Sequence, residues 1–325
     1  MMLKWLASTR LTLVGMLCLA VGAGLSYDNP ATTSAWVLIT PLGLLAINLF
    51  AAILSQPGIN RRPGLLFFHI GLLGICVLSA IGQLSTLEGH VELSLGSAFH
   101  PSEINDVKQG PWHRGNISKV QFVQGEFTVD YSPRLMRGPT RSYVQVSDAH
   151  GNWSEKVVGD DTPLIIDGYR FYTTFNKGFA AVLTWTPVNG SPVTGAVHMP
   201  SYPLFEHKQD NRWTPPGESQ ELKLWLRLNT AYDPENAWVL DLDSATGVLV
   251  VNDLDDRVEL SPGESVILSG GELRFDQITS WMGYKVFYDP TLKALFFSAI
   301  LAVFGLFFHY WRKFSDQPMS QISTQ

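Results

Sequence analysis

Four apolar runs interrupt a mixed chain, at about residues 11–27, 35–54, 64–82 and 292–310. Each is close to the ~20 residues a helix needs to cross the hydrocarbon of a bilayer. Between the third and fourth runs lie about 200 residues with a different pattern. Apolar and polar positions alternate over 117–123, 126–131, 141–146 and 222–228, the period of half-buried strands. Turn signals separate them: Arg137-Gly-Pro139, Asn189-Gly-Ser-Pro192, Pro215-Pro-Gly217, Ser261-Pro-Gly263 and Gly270-Gly271. About a dozen short strands on this spacing predict a sandwich or open barrel. The polar, proline-containing stretch 199–219 reads as a loop. The predicted fold is a membrane protein of the α + β class. A region of three transmembrane helices (1–82) is followed by a large all-β domain (83–290). A fourth transmembrane helix with a tail (291–325) ends the chain.

Charge orients this arrangement. Lys4 and Arg10 precede the first span, Arg61 and Arg62 fill the second short loop, and Arg312 and Lys313 follow the fourth span. All three clusters fall on one face if both termini are cytoplasmic, which places the β domain outside. Tyr310 and Trp311 form an interfacial belt beside Arg312, and Lys293 snorkels from the outer end of its helix. The rival reading of the first span is a cleaved signal peptide with sites near Ala20 or Ala23. Two further spans follow almost at once, which favours retention as an anchor.

Composition narrows the function. Residues 83–290 carry 27 Asp and Glu against 16 Lys and Arg, a net of −11, while the remainder nets +5. An acidic outer domain speaks against nucleic acid and for a basic partner. The two cysteines, Cys18 and Cys76, both lie in spans. The outer domain therefore has no disulfide framework, and the absence of any CxxC argues against a self-contained thiol–disulfide exchanger. No GxSxG, phosphate-binding loop or dinucleotide fingerprint occurs. His90, His100, His113, His150, His198 and His207 are scattered without metal-ligand spacing and read as single loop histidines. Asp233 to Glu264 holds nine acidic residues and one Arg. Asp241-Leu-Asp243 and Asp253-Leu-Asp-Asp256 invite a Ca²⁺ reading but lack the full oxygen-ligand loop. A solvated acidic face, or a dock for a basic protein, accounts for them more simply.

The residue that carries chemistry is His69, inside the third span. An ionisable side chain at membrane depth is costly and is by default a candidate functional site. At about 100° per residue, His69, Cys76 and Gln83 share one stripe with Leu73 beside it, while Gly71, Gly74, Leu78 and Gly82 lie opposite. Small residues admit close helix packing, so the glycine face predicts a helix contact that turns His69 elsewhere. With Arg62 on the inner side, His69 lies about 8 Å into the span. Three roles stay open: a hydrogen bond to a helix carbonyl or Ser, a proton relay, and a metal or haem-iron ligand. The relay lacks partners, since these spans contain no Asp, Glu or Arg and their one Lys, Lys293, is at the far end. Phe67 and Phe68 suit an apolar haem groove. His309 reads as an interfacial residue, and Cys18 and Cys76 as small packing residues rather than ligands.

Four stretches together resemble the ResB (CcsB) family of system II cytochrome c maturation. They are Leu3-Lys-Trp-Leu-Ala-Ser-Thr-Arg-Leu-Thr-Leu13, Phe68-His-Ile-Gly-Leu-Leu-Gly74, Pro163-Leu-Ile-Ile-Asp-Gly-Tyr-Arg-Phe-Tyr172 and Trp281-Met-Gly-Tyr-Lys-Val-Phe-Tyr-Asp-Pro290. Thr173 stands where the family strand has Gln. The resemblance implies a bacterial cytoplasmic-membrane protein that helps export haem b and present it to apocytochrome c thiols. His69 is then one axial haem-iron ligand, with Phe68, Leu73 and Cys76 as candidate groove lining. The implied partners are a ResC (CcsA)-type membrane subunit carrying the tryptophan-rich haem motif and the second axial His, apocytochrome c, and a thioredoxin-like reductant. The chain itself is a non-catalytic or co-catalytic subunit of the cytochrome c synthase. The alternative is a scaffold that binds apocytochrome or the partner without touching haem.

Overall fold

A computed structural model describes residues 2–28, 32–148, 151–204, 208–229, 235–253 and 256–315. The chain forms two compact units. One comprises residues 1–88, 108–114 and 288–325, and the other 89–107 and 115–287.

The first unit holds the helices. They are α1 (Met2–Leu6), α2 (Thr9–Asp28), α3 (Trp36–Ser55), α4 (Pro57–Asn60), α5 (Pro63–Ser85) and α6 (Leu292–Ser315). Four of these, α2, α3, α5 and α6, are long and apolar enough to cross a membrane. Each contains the corresponding apolar run almost entirely and extends beyond it by up to a turn or so. Proline opens α5 at Pro63, where a missing N–H costs nothing. Apolar side chains on these helices stay exposed, as at Leu13, Leu17, Val303 and Phe307, the pattern expected of helices that cross hydrocarbon.

Helices α5 and α6 meet through small residues. A Cβ on Gly71 would lie 2.5 Å from the Ala302 nitrogen, and one on Gly64 2.6 Å from the His309 nitrogen. The contact is reciprocal, because a Cβ on Gly305 would lie 2.3 Å from the Phe68 nitrogen. The expected glycine face is thus the α5–α6 seam, closed to backbone contact. A polar pin joins α1, α2 and α3: buried Asn48 donates to Leu6 O (2.6 Å) and Ser8 O (3.0 Å) and accepts from Thr12 Oγ1 (2.8 Å). The far end of α5 is capped by residues 110–113. Gly110 N donates to Thr86 O (2.9 Å), Trp112 N to Leu84 O (2.7 Å), and His113 Nδ1 meets Ser85 O (2.9 Å). These bonds satisfy carbonyls that a helix C-terminus leaves open.

The second unit is antiparallel β. In chain order the strands are β1 (Leu87–Ser94), β2 (Asn105–Gln109), β3 (Phe122–Ser132), β4 (Met136–Ser147), β5 (Trp153–Gly159), β6 (Leu164–Ile166), β7 (Tyr169–Pro187) and β8 (Val193–His198). There follow β9 (Asp210–Trp213), β10 (Leu222–Leu228), β11 (Trp238–Leu240), β12 (Gly247–Asp253), β13 (Asp256–Leu260), β14 (Ser265–Leu268) and β15 (Gly271–Tyr288). They build a seven-stranded sheet with the path β2-β1-β15-β7-β6, to which β14 and β8 add at β15 and β7. Two four-stranded sheets have the orders β13-β12-β10-β9 and β11-β3-β4-β5.

Alternation finds β10 at its full extent, and its Leu222, Leu224 and Leu226 are buried. It misplaces the next case. Residues 117–119 form a 3-10 turn, and the two expected strands 117–123 and 126–131 are one strand, β3. A bulge between Gln124 and Phe127 keeps that strand paired. Gly125 makes the bulge possible, since a Cβ there would lie 2.6 Å from Tyr143 O. The stretch 199–219, read as loop, contains β9, which pairs with β10. At the β6–β7 turn, Asp167 (φ 49) and Gly168 (φ 85) both take positive φ, the two-residue hairpin chemistry that Asp-Gly supplies.

The core lies between the seven-stranded sheet and the β3-containing sheet. Phe122 stacks on Phe99 (5.2 Å) and meets Phe171 edge-on (5.0 Å). A closed hydrogen-bond ring crosses the same layer. Tyr284 Oη donates to Gln124 Oε1 (2.7 Å), Gln124 Nε2 donates to Ser142 Oγ (2.9 Å), and Ser142 Oγ returns to Tyr284 Oη (2.6 Å). Burial drives the Tyr284 hydroxyl well above its ordinary pKa, so it remains a neutral donor.

Candidate functional site

His69 sits in the second turn of α5. Its Nδ1 lies 2.7 Å from Leu65 O, one turn back on the same helix. A carbonyl only accepts, so in the neutral ring Nδ1 carries the proton and Nε2 holds the lone pair. This geometry combines two of the roles left open by the sequence: a bond to a helix carbonyl and a nitrogen able to ligate. A second bond of this kind is what orients metal-ligating histidines and fixes their tautomer. The ring is half-buried and lies edge-on to Phe68 at 5.2 Å. Among the described residues no group of three or more His, Cys, Asp or Glu could hold a metal ion. One imidazole with an available nitrogen and an aromatic neighbour suits a group that brings most of its own coordination, as haem does.

Of the residues named with it, Phe68 is in ring contact with His69, and the Phe68 backbone forms part of the seam with Gly305. Leu73 and Cys76 are half-buried on the same helix, and Cys76 is a free thiol. No hydrogen bond or ring contact joins either to His69 among the described residues. Cys18 is free and exposed on α2. His309 packs its backbone on Gly64 and has its ring 5.4 Å from Tyr310.

Two clusters in the β unit escaped sequence reasoning. His198 is no loop residue; it ends β8 and stacks at 4.9 Å on Trp281. Its Nε2 lies 2.9 Å from Ser94 Oγ and its Nδ1 3.3 Å from Glu92 Oε2. The trio lines a surface cleft of about 670 Å³. Its order resembles a Ser-His-acid relay, yet the nearby amides of Leu95, Gly96 and Ser97 already donate to Ser280 O, Gln124 O and Ser94 O. These three amides are therefore not available to an oxyanion, and the arrangement reads as a braced, stacked His. His150 and His207 lie outside the described residues.

The other cluster surrounds Lys177, which is 1% exposed. Its Nζ donates to Thr174 O (2.8 Å) and lies 5.8 Å from the Phe175 ring centroid. The Arg137 guanidinium sits over the same ring at 4.7 Å and pairs with Asp160. Burial first, and then the nearby Arg137 charge, lower the Lys177 pKa to about 8. Burial opposes ionisation of Asp160, but the Thr140 N–H and Arg137 outweigh it and hold its pKa below the ordinary value. Thr173, the departure from the family strand, reaches Asp160 Oδ1 at 3.3 Å. The sequence carries no local signal for this cluster, because the burial of Lys177 depends on residues far from it in the chain.

The acidic segment is partly neutralised. Glu259 accepts from Arg227 (2.8 Å) and from Arg257 (3.2 Å), and Asp241 Oδ1 accepts from Ser244 N (2.9 Å). Residues 233, 234, 254 and 255 of that segment lie outside the described residues.

Fold and site together define a multi-pass membrane protein with an antiparallel β unit inserted before its last span and an intramembrane imidazole. The ResB-like family pattern matches residues 48–224, more than half of the chain. The chain belongs to the ResB-like family, as the resemblance implied. No curated protein matches. Among solved structures, the cytochrome c haem lyase CcmF aligns with 92% of this chain at 12% identity and a TM-score of 0.29. The alignment covers 34% of that protein, so this chain spans about a third of its length.

Proposed function

We propose that this chain is the ResB-like subunit of a cytochrome c maturation complex. In this reading it helps move haem b across the cytoplasmic membrane and presents it for attachment to apocytochrome c thiols. Family membership and the His69 imidazole support the reading, and the imidazole carries it. Its Nδ1 is tied to Leu65 O, and helix phase puts it on the side of α5 away from the α5–α6 seam. His69 supplies one axial bond to haem iron. Phe68 flanks the ring, and Leu73 and Cys76 continue the same side of α5. Haem supplies the vinyl groups that the apocytochrome thiols attack. This chain orients it and contributes no thiol, because both its cysteines lie in spans. A ResC-type subunit contributes the second axial His and the bulk of catalysis, and a thioredoxin-like protein keeps the substrate cysteines reduced. The termini face the cytoplasm and the β unit faces outward.

The test is purification of the complex after co-expression with its ResC-type partner. His69→Ala should lower bound haem about tenfold, the equivalent of roughly 1.4 kcal/mol, and shift the visible spectrum from its bis-histidine form. Added imidazole should restore both. Unchanged haem content and spectrum would leave the chain as a scaffold for apocytochrome or the partner.

A further inference from the structure

Where α5 begins and α6 ends, the helices leave a cavity of about 480 Å³. Arg61, Arg62, Arg312 and Lys313 line it, with His309, Phe308 and Gly64. No carboxylate lines it, and none of the four cations forms an ion pair among the described residues. We propose that this cavity binds the phosphodiester headgroup of an anionic phospholipid.

Position and shape favour a lipid over a soluble phosphate. The cavity lies at the ends of two spanning helices, at the level of the headgroups. Phe308 lines it, and Phe304 stacks on Phe308 at 6.3 Å one turn deeper. Phe304 and Phe307 are 53% and 60% exposed. An apolar track thus leads from the cations into the hydrocarbon, where acyl chains belong. Basic pockets between membrane helices on the inner side are the usual cradle for anionic headgroups. Positive-inside topology asks only for basic residues near helix ends. It does not ask for four of them around one concavity whose depth is set by the Gly64–His309 backbone contact. Haem carboxylates are a poorer match. Gly64 lies about 140° around α5 from His69, so a group ligated by His69 is on the other side of the helix.

The experiment is native mass spectrometry of the full-length chain in detergent, titrated with phosphatidylglycerol, cardiolipin or phosphatidylcholine. Anionic lipid should be retained at collision energies that strip phosphatidylcholine. Arg61→Gln with Arg312→Gln should weaken that retention at least about tenfold, and Arg61→Lys with Arg312→Lys should largely preserve it. Lys4→Gln with Arg10→Gln removes equal charge from the same face outside the cavity, and should change retention by less than about twofold. Equal losses in both Gln pairs would reduce the cavity to a generally basic face and overturn the proposal. So would equal retention of phosphatidylcholine, or displacement of the lipid by an equal concentration of inorganic phosphate. A fall in co-purified haem in the Arg61/Arg312 pair with lipid retention intact would assign the cavity to haem carboxylates instead.

Discussion

Lys177 and His69 are both costly residues, and the structure resolves the cost differently. His69 satisfies one ring nitrogen by donating from Nδ1 to Leu65 O, one turn back on its own helix. Lys177 is enclosed in the β unit with one carbonyl and one ring for company. Its folded pKa of about 8 lies below its ordinary 10.5. Between those values the unfolded chain binds the extra proton, so stability rises with pH. The gain is complete above about 10.5 and is lost as the pH falls through about 8. Its size is on the order of 3 kcal/mol. Thermal unfolding of the full chain in detergent should show this rise between pH 8 and 10. Lys177→Met should abolish it, because the substituted side chain does not titrate. A wild-type profile that is flat over that window would contradict the burial of a charged amine. Sequence alone does not single out Lys177, because nothing local to Asn176-Lys-Gly178 reports the neighbours that close over it.

At the scale of elements, the α5–α6 seam is the contact most open to test. Gly305 meets the Phe68 nitrogen and Gly64 O through backbone that has no room to yield. Gly305→Leu should therefore cost at least about 2–3 kcal/mol, read as a lower unfolding temperature in detergent. Gly43 on α3 is the contrasting case, since a Cβ added there would have nothing within 4 Å. Gly43→Ala should be neutral or stabilising by up to about 1 kcal/mol from helix propensity. The glycine stripe on α5 was legible, since helix periodicity places Gly71, Gly74 and Gly82 together. Its partner was not, because Ser298, Ala302 and Gly305 gain meaning only beside it. The strands divide the same way. Alternation in 222–228 is enough to define β10, whereas β3 needed its bulge at Gly125, which is a property of the pairing with β4. The Tyr284–Gln124–Ser142 ring joins residues up to 160 positions apart and leaves no local trace.

At the scale of the molecule, the charge asymmetry predicts which residues face which compartment. Asn189 is an exposed turn residue of the β unit, and Lys313 is an exposed residue near the end of α6. In intact cells a membrane-impermeant maleimide should label Asn189→Cys, and it should reach Lys313→Cys only after permeabilisation. The reverse pattern would overturn the proposed orientation. The native Cys18 and Cys76 lie in the spans and so provide little competing reactivity. Under the proposed orientation the cationic cavity faces the cytoplasmic headgroups, where anionic lipids concentrate.

The sequence by itself determined four spans, a β region before the last of them, a glycine face on α5 and a histidine at membrane depth. These follow from hydropathy and from the fixed periods of helix and strand, which are local properties of a chain. The tertiary structure alone decided which helix fills the glycine face, which nitrogen of His69 carries the proton, that His198 stacks on Trp281 and that Lys177 is enclosed. It alone gathered Arg61, Arg62, Arg312 and Lys313 around one cavity. Each depends on groups distant in sequence meeting at distances of a few ångströms, and hydrogen bonding, burial and charge act at that range.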